Sequence, residues 1–294
     1  MTRVTRREFV RLGATGAAAA PFVLDPARPG AATVTAQEIA DRIRKAVGVE
    51  WKADTVDGFK AGDPATAVTG VVTTALATID VLRQAVKGGA NLIVTAGPTF
   101  YSRADSANPP ADPVVAAKRA LIAANRLVVW RFSDHWRRRV PDPFALGLMR
   151  TLGWEQYRTA TDAVRVRVPP VALEAIAATV KTKLGSRGGL RIVGNPRTRV
   201  RTIGVLAGTV PIQTTLAVLP QVDAIVAGEI REWESSEYAR DVVHAGQGKA
   251  LLLVGRTLSE EGGMRLCAEW LQAMVPETAV RSIAAGDPYW RPAV

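Results

Sequence analysis

From Thr35 onward the apolar positions of the chain recur with two alternating periods. TAQEIADRIRKAVGV carries Ile39, Ile43 and Val47 at helical spacing and opens on a Thr-x-x-Glu capping pattern, which predicts a helix starting at Thr35. Residues 66–73 (TAVTGVVT) form a β-branched run, residues 79–86 (IDVLRQAV) return to the helical period, and residues 91–95 (NLIVT) make a short apolar strand. A loop dense in Pro, Asp, Asn and Ser follows, then a helix through VVAAKRALIAAN and a strand at LVVWRF. Beyond Pro141, Pro143, Pro169 and Pro170 the order repeats: a VRVRV strand, a helix through LEAIAATVKTKL and the strand LRIVGN. Then come TIGVLAG, QTTLAVL, DAIVAGE and ALLLVG, and a final helix through EEGGMRLCAEWLQAM. Alternation of this kind predicts an α/β protein with parallel pairing.

Two stretches share one pattern. Thr69-Gly70-Val71-Val72-Thr73, a helix and then Asn91-Leu92-Ile93-Val94-Thr95 match Ile203-Gly204-Val205-Leu206-Ala207, a helix and then Asp223-Ala224-Ile225-Val226-Ala227. Each is a Gly-bearing strand leading through a helix to a strand headed by an acid or amide. The pattern predicts two related α/β lobes facing each other across a cleft, residues 37–160 and 161–294, although any two βαβ units look alike at this level.

The first 36 residues read differently. Thr5-Arg6-Arg7-Glu8-Phe9 precedes the weakly apolar LGATGAAAAPFVL and small residues ending Val34-Thr35-Ala36. Paired arginines at Arg6 and Arg7, a nearby aromatic and a modest apolar segment have the order of a twin-arginine export signal, which predicts folding before export and a periplasmic or secreted destination. The only cysteine, Cys267, excludes an internal disulfide. No apolar run reaches the roughly 20 residues that span a bilayer.

The net charge of +11 gives a basic surface, but the cations are scattered and no nucleic-acid module with interleaved aromatics accompanies them. Arg137-Arg138-Arg139 is the one local cluster. P-loop, GxSxG, GxGxxG-after-strand and HExxH signatures are missing from the sequence.

Four segments carry a resemblance: VTGVVTTALATIDVLRQAVKGGANLIVTAGP, AIVAGEIREWESSEYARD, ALLLVGRTLSEEGGMRLCAEWL and the late GDPYW. In order and spacing they resemble the Nif-three-like family, also known as GTP cyclohydrolase 1 type 2 or dinuclear metal-centre hexameric proteins. The resemblance extends over nearly all of the chain beyond the leader. It implies a homohexamer and a two-metal cleft whose ligands come from a His-His-Pro motif, a His-Thr-x-x-Asp motif and a late Gly-His-x-x-x-Glu motif.

This chain departs from those motifs. The His-His-Pro slot reads Ala96-Gly97-Pro98, and the late motif reads Gly255-Arg256-Thr257-Leu258-Ser259-Glu260, with Arg in place of His. The middle motif matches Phe132-Ser133-Asp134-His135-Trp136 only loosely, and the chain has two histidines, His135 and His244. Two readings remain. In the first, no metal is bound, and Arg256 puts fixed positive charge into a degenerate cleft that binds an anionic small molecule or a partner. In the second, Asp134, His135 and Glu260 hold one divalent metal for a hydrolase. Arg256 and Glu260 as a mere exposed pair at helix spacing, and Glu229 as a residue facing the cleft or bracing its strand, complete the expectations.

Overall fold

The computed structural model describes residues 34–103, 105, 112–159, 162–186, 189–290 and 292; the twin-arginine pair Arg6 and Arg7 lies outside them. The first helix, α1 (Ala36–Ala46), starts at the capping box. Thr35 Oγ1 accepts from the Glu38 amide at 3.2 Å, while Glu38 Oε2 accepts from the Thr35 amide at 2.7 Å, so two otherwise orphaned donors are satisfied reciprocally. Val34, expected at the end of the leader, is buried and its carbonyl accepts from the Val68 amide at 2.8 Å; Thr35 bridges Ala67 in antiparallel sense. Val34 and Thr35 therefore belong to the folded part of the chain.

Then follow β1 (Gly58–Ala61), β2 (Val71–Thr74), α2 (Ile79–Lys87), β3 (Leu92–Thr95), α3 (Pro113–Ala124), β4 (Val128–Arg131) and two short helices, α4 (Asp134–Arg137) and α5 (Pro143–Leu152). The second half runs β5 (Arg165–Ala172), α6 (Leu173–Leu184), β6 (Arg191–Val193), β7 (Arg199–Thr209), α7 (Ile212–Val218), β8 (Ala224–Glu229), α8 (Glu237–His244), β9 (Ala250–Leu253), α9 (Arg256–Met274) and β10 (Val280–Ser282). The strand expected over 66–73 is cut at Gly70, because the Thr69 amide turns aside to the Asn91 side chain at 2.9 Å and leaves the ladder.

Two five-stranded sheets result, ordered β1-β4-β3-β2-β10 and β5-β7-β8-β9-β6. In each, three consecutive strands pair in parallel (β2, β3, β4 and β7, β8, β9), and the third carries an antiparallel edge strand. This is the two-lobed α/β arrangement that the repeated pattern predicts, with one exchange: β10, from the end of the chain, joins β2 in the first sheet. None of the described helices is long and apolar enough to cross a membrane.

Alternation along the strands builds the layers. Leu92 and Val94 of β3 face a core shared with Val205 of β7 and Val226 of β8, whereas Ile93 faces the outer layer of α2 and α3. Between the sheets lie α5 and α9. The latter buries Leu258, Glu260, Gly263, Met264, Cys267 and Leu271, and burial pushes the Cys267 thiol pKa up, leaving it an inert packing residue.

Glycine sets how closely α5 and α9 approach. A Cβ on Gly147 would overlap the backbone of Gly262 and Gly263, and a Cβ on Gly262 would overlap the Gly147 carbonyl. At Gly147 the overlapping atoms are all backbone, which cannot yield as a flexible side chain would. Gly147→Ala should therefore destabilise the protein by about 1–3 kcal/mol, read as a lowered melting temperature. Gly153→Ala, at a positive-φ helix end with open space around it, should cost less, about 1 kcal/mol. Equal effects would show that the helix contact is not close-packed.

Candidate functional site

The C-terminal ends of β8 and β9 meet the N-terminus of α9 at a cavity of about 690 Å³ lined by Leu76, Pro98, Arg191, Glu229, Gly255, Arg256, Tyr289 and Trp290, among others. Carboxyl ends of parallel strands are where open α/β sheets place their ligands. The helix starts at Gly255, whose φ of +85° needs glycine, and no side chain caps it. Its first-turn residues Arg256, Thr257 and Leu258 line the cavity.

Behind Arg256 lies a buried charge network. Glu260, one turn into α9, is 2% exposed. Its Oε2 accepts from Arg256 Nε at 3.2 Å and its Oε1 from Arg137 Nη2 at 3.0 Å. Arg137 also donates to Asp142 Oδ2 at 3.1 Å and to the Ala207 carbonyl at 3.0 Å, and its guanidinium stacks over Phe144 at 4.5 Å. Burial raises the pKa of Glu260, with Arg256 and Arg137 pulling the other way; Asp142 is likewise raised by burial against Arg137. The expected Arg256–Glu260 pair is thus present, but with a buried acid and a second guanidinium from another element. Arg137 is the residue that sequence reasoning missed. Its only signal was membership of the run Arg137-Arg138-Arg139, which does not distinguish the inward arginine.

Two glycines make room for this network. Gly208, at φ +79°, would place a Cβ against Arg137 and Glu260, and Gly228 would place one against the Gly208 carbonyl and Ser259 Oγ. Ser259 ties the helix start to the sheet, accepting from the Gly208 amide at 2.9 Å and donating to the Arg256 carbonyl at 2.6 Å.

The Ala96-Gly97-Pro98 slot lies at the end of β3. A side chain on Gly97 would collide with Leu76, whose apolar chain lines the cavity beside Pro98. The loop beyond the slot is held from beneath. Asp105, itself at positive φ, accepts from the Thr99 and Phe100 amides at 2.7 Å each, and Lys118 Nζ donates to the Thr99 carbonyl at 2.5 Å. Burial brings the Lys118 pKa down to about 8.

Asp134 and His135 face elsewhere. The His135 ring, wholly buried, stacks on Trp51 at 3.7 Å between centroids. Its Nε2 accepts from the Lys52 amide at 2.9 Å, so the proton sits on Nδ1 and is donated to Asp57 Oδ2 at 2.8 Å. Asp57 also accepts the amides of Ser133, Asp134 and His135 at 2.6, 3.0 and 2.9 Å, which caps α4 from a distant segment. Asp134 Oδ2 accepts from Thr55 Oγ1 at 3.0 Å and the Val56 amide at 3.1 Å. Among the described residues no three His, Cys, Asp or Glu side chains group so as to hold a metal ion. His244 is exposed at the end of α8, and Glu229 is exposed on the cavity rim.

A two-lobed α/β protein of this architecture has the NIF3 fold. The chain is similar to Staphylococcus aureus protein SA1388 (TM-score 0.70, 16% identity, covering 88% of this chain and 99% of that one). It is similar also to a Bacillus cereus protein related to NIF3 (0.69, 14% identity, 88% and 99%) and to protein ybgI (0.67, 18% identity, 87% and 100%). No family profile and no curated protein sequence matches the chain.

Because Arg137 serves three acceptors and Arg256 one, the two substitutions should differ. Arg137→Ala leaves Glu260 and Asp142 short of a counter-charge and should cost about 3 kcal/mol, against about 1 kcal/mol for Arg256→Ala. Adding Glu260→Gln to Arg137→Ala should recover part of the loss in a chemical denaturation series. Strict additivity of the two changes would show that they do not interact.

Proposed function

We propose that the chain is a divergent Nif-three-like protein whose cleft binds an anionic small molecule without a resident metal ion and without catalysing its hydrolysis. The observation that carries this reading is Glu260, held at 2% exposure between two guanidiniums at the position where the resemblance puts a metal-binding carboxylate. The donor set does not fit a metal. Ala96 and Gly97 offer no ligand, Arg256 has no free lone pair, Glu260 is already matched by two cations, and both ring nitrogens of His135 are engaged.

An anion suits the same cleft. The uncapped start of a long helix directs amide groups and the positive end of its dipole into the cavity. Arg256, about one-quarter exposed and bound to Glu260 through Nε, stands at that start. Of the three acids on the rim, Glu229 is exposed, Glu232 pairs with Arg191, and Asp287 accepts from Ser186 Oγ at 3.3 Å and from the Tyr289 amide at 3.0 Å.

Purified protein should contain well under one transition metal per chain, and a chelator should leave its melting temperature unchanged. Titration calorimetry with inorganic phosphate should give saturable binding that Arg256→Ala weakens about tenfold, the loss of one charge-assisted hydrogen bond. A stoichiometric metal that disappears on mutating Asp134, His135 or Glu260 would overturn the reading in favour of the one-metal hydrolase.

Arg6 and Arg7, with Phe9 and the modest apolar segment after them, support export by the twin-arginine route. Processing then falls upstream of Val34, because cutting after Ala36 would remove both the Thr35 cap and the Val34–Val68 hydrogen bond. Replacing Arg6 and Arg7 by Lys should trap precursor in the cytoplasm, and N-terminal sequencing of the exported protein should start at Val34 or before. Unimpaired processing of the double variant rejects the route, and a mature end at Gln37 rejects the boundary.

A further inference from the structure

The cavity beside α9 is larger than its anion needs. At about 690 Å³ it has the size of pockets that enclose whole small molecules, and an inorganic anion at Arg256 would fill only a corner of it. The space that is left is bordered by aromatic side chains and by a polar rim.

The aromatics are Tyr289 and Trp290. Both line the cavity, yet they are 70% and 69% exposed, so neither ring is spent on packing the core. The segment that carries them is tied to the fold through its backbone. The Gly286 amide donates to Glu261 Oε1 on α9 at 2.8 Å, and the Tyr289 amide donates to Asp287 Oδ1 at 3.0 Å. An aromatic face left in water beside a cavity is a platform for a flat ligand surface, which recovers the apolar area on binding.

The polar side chains define the rest of that ligand. Glu229 is exposed and has no ion-pair partner among the described residues. Glu232 and Arg191, both exposed, pair with each other and so set an acceptor beside a donor. Among the described residues, none of the polar side chains lining the cavity is buried. No desolvated side chain therefore stands there to read the fixed donors and acceptors of a base edge. Hydroxyl groups suit this rim, because each can both donate and accept, and neighbouring hydroxyls satisfy a carboxylate and a guanidinium together. The rim carboxylates also repel a second negative group, which restricts the ligand to one anionic end. A polyhydroxylated ring supplies the flat surface as well, its C–H edges meeting the negative face of an aromatic ring.

We propose that the ligand of the cleft is a sugar phosphate, with its single phosphate at Arg256, its ring against Tyr289 and Trp290, and its hydroxyls on Glu229 and the Glu232–Arg191 pair. This assignment rests on the anion-binding reading of the cleft and names the body that the anion carries.

The test is titration calorimetry of the whole protein with glucose 6-phosphate and ribose 5-phosphate, against inorganic phosphate, phenyl phosphate and adenosine monophosphate. The better of the two sugar phosphates should bind about tenfold more tightly than inorganic phosphate. The double substitution Tyr289→Ala, Trp290→Ala should abolish that advantage while inorganic phosphate binds as before, and the exposure of both rings means that the melting temperature should not move. Glu229→Ala should weaken the sugar phosphate and not inorganic phosphate, whereas Arg256→Ala should weaken both. Sugar phosphates that bind no more tightly than inorganic phosphate, or an advantage that survives the double substitution, would overturn the sugar and leave the anion site standing. Tighter binding of phenyl phosphate or adenosine monophosphate than of either sugar phosphate would overturn it in favour of an aromatic body. If neither inorganic phosphate nor a sugar phosphate binds, the anion-binding reading falls and the sugar with it.

Discussion

A carboxylate at 2% exposure cannot stay charged in a protein interior unless cations stand beside it. Glu260 has two, and they come from different places: Arg256 one turn earlier on α9, and Arg137 at the end of α4. Much of the surrounding architecture follows from keeping Arg137 within reach. The α4 turn is only four residues long and is held by Asp57, which gathers three of its amides and the His135 ring. Trp51 covers that ring, so the buried polar cluster closes without an unmatched group at its centre. Asp134 and His135 belong to the hydrogen-bonded turn that carries Arg137.

The glycines belong to the same constraint. Gly208 and Gly228 thin the ends of β7 and β8 where the network crosses them, and Gly147, Gly262 and Gly263 let α5 and α9 meet backbone to backbone. Glycine in a helix interior ordinarily costs about 1 kcal/mol relative to alanine. α9 tolerates two in succession because it lies between the sheets, where packing outweighs propensity, and Trp136 Nε1 donates to the carbonyl of Gly263 at 3.2 Å. With α9 fixed in this way, its first turn faces the cavity and Glu260 faces the interior.

The layers were legible in the sequence because they rest on local periodicity. The Thr35 cap, the apolar strand at 91–95 and the paired Gly-led strands all depend on residues near one another in the chain. Contacts made across the chain were not legible. β10 lies beside β2 across some two hundred residues, and nothing in a three-residue strand announces its partner. His135 stands in the sequence as a candidate ligand, and the side chain that engages it, Asp57, stands 78 positions away. Arg256 was singled out by a motif in which arginine replaces histidine, whereas Arg137, which makes more contacts, sits in a basic run that reads as surface.

On the proposed reading, guanidinium groups stand where a metal ion would, and that changes what the cleft can do. A bound divalent ion attracts anions and also lowers the pKa of coordinated water far enough to supply hydroxide near neutral pH. A guanidinium attracts anions through directed hydrogen bonds, yet it has no empty coordination position and keeps its proton throughout the physiological range. Arg256 and Arg137 can therefore hold a negative group, or an acid such as Glu260, in fixed orientation, but neither activates water. Glu260 and Asp142 are themselves tied to Arg137 by ion pairs, and neither lines the cavity. On the proposed reading, a cleft with Arg256 at its helix start retains an anionic ligand and does not transform it.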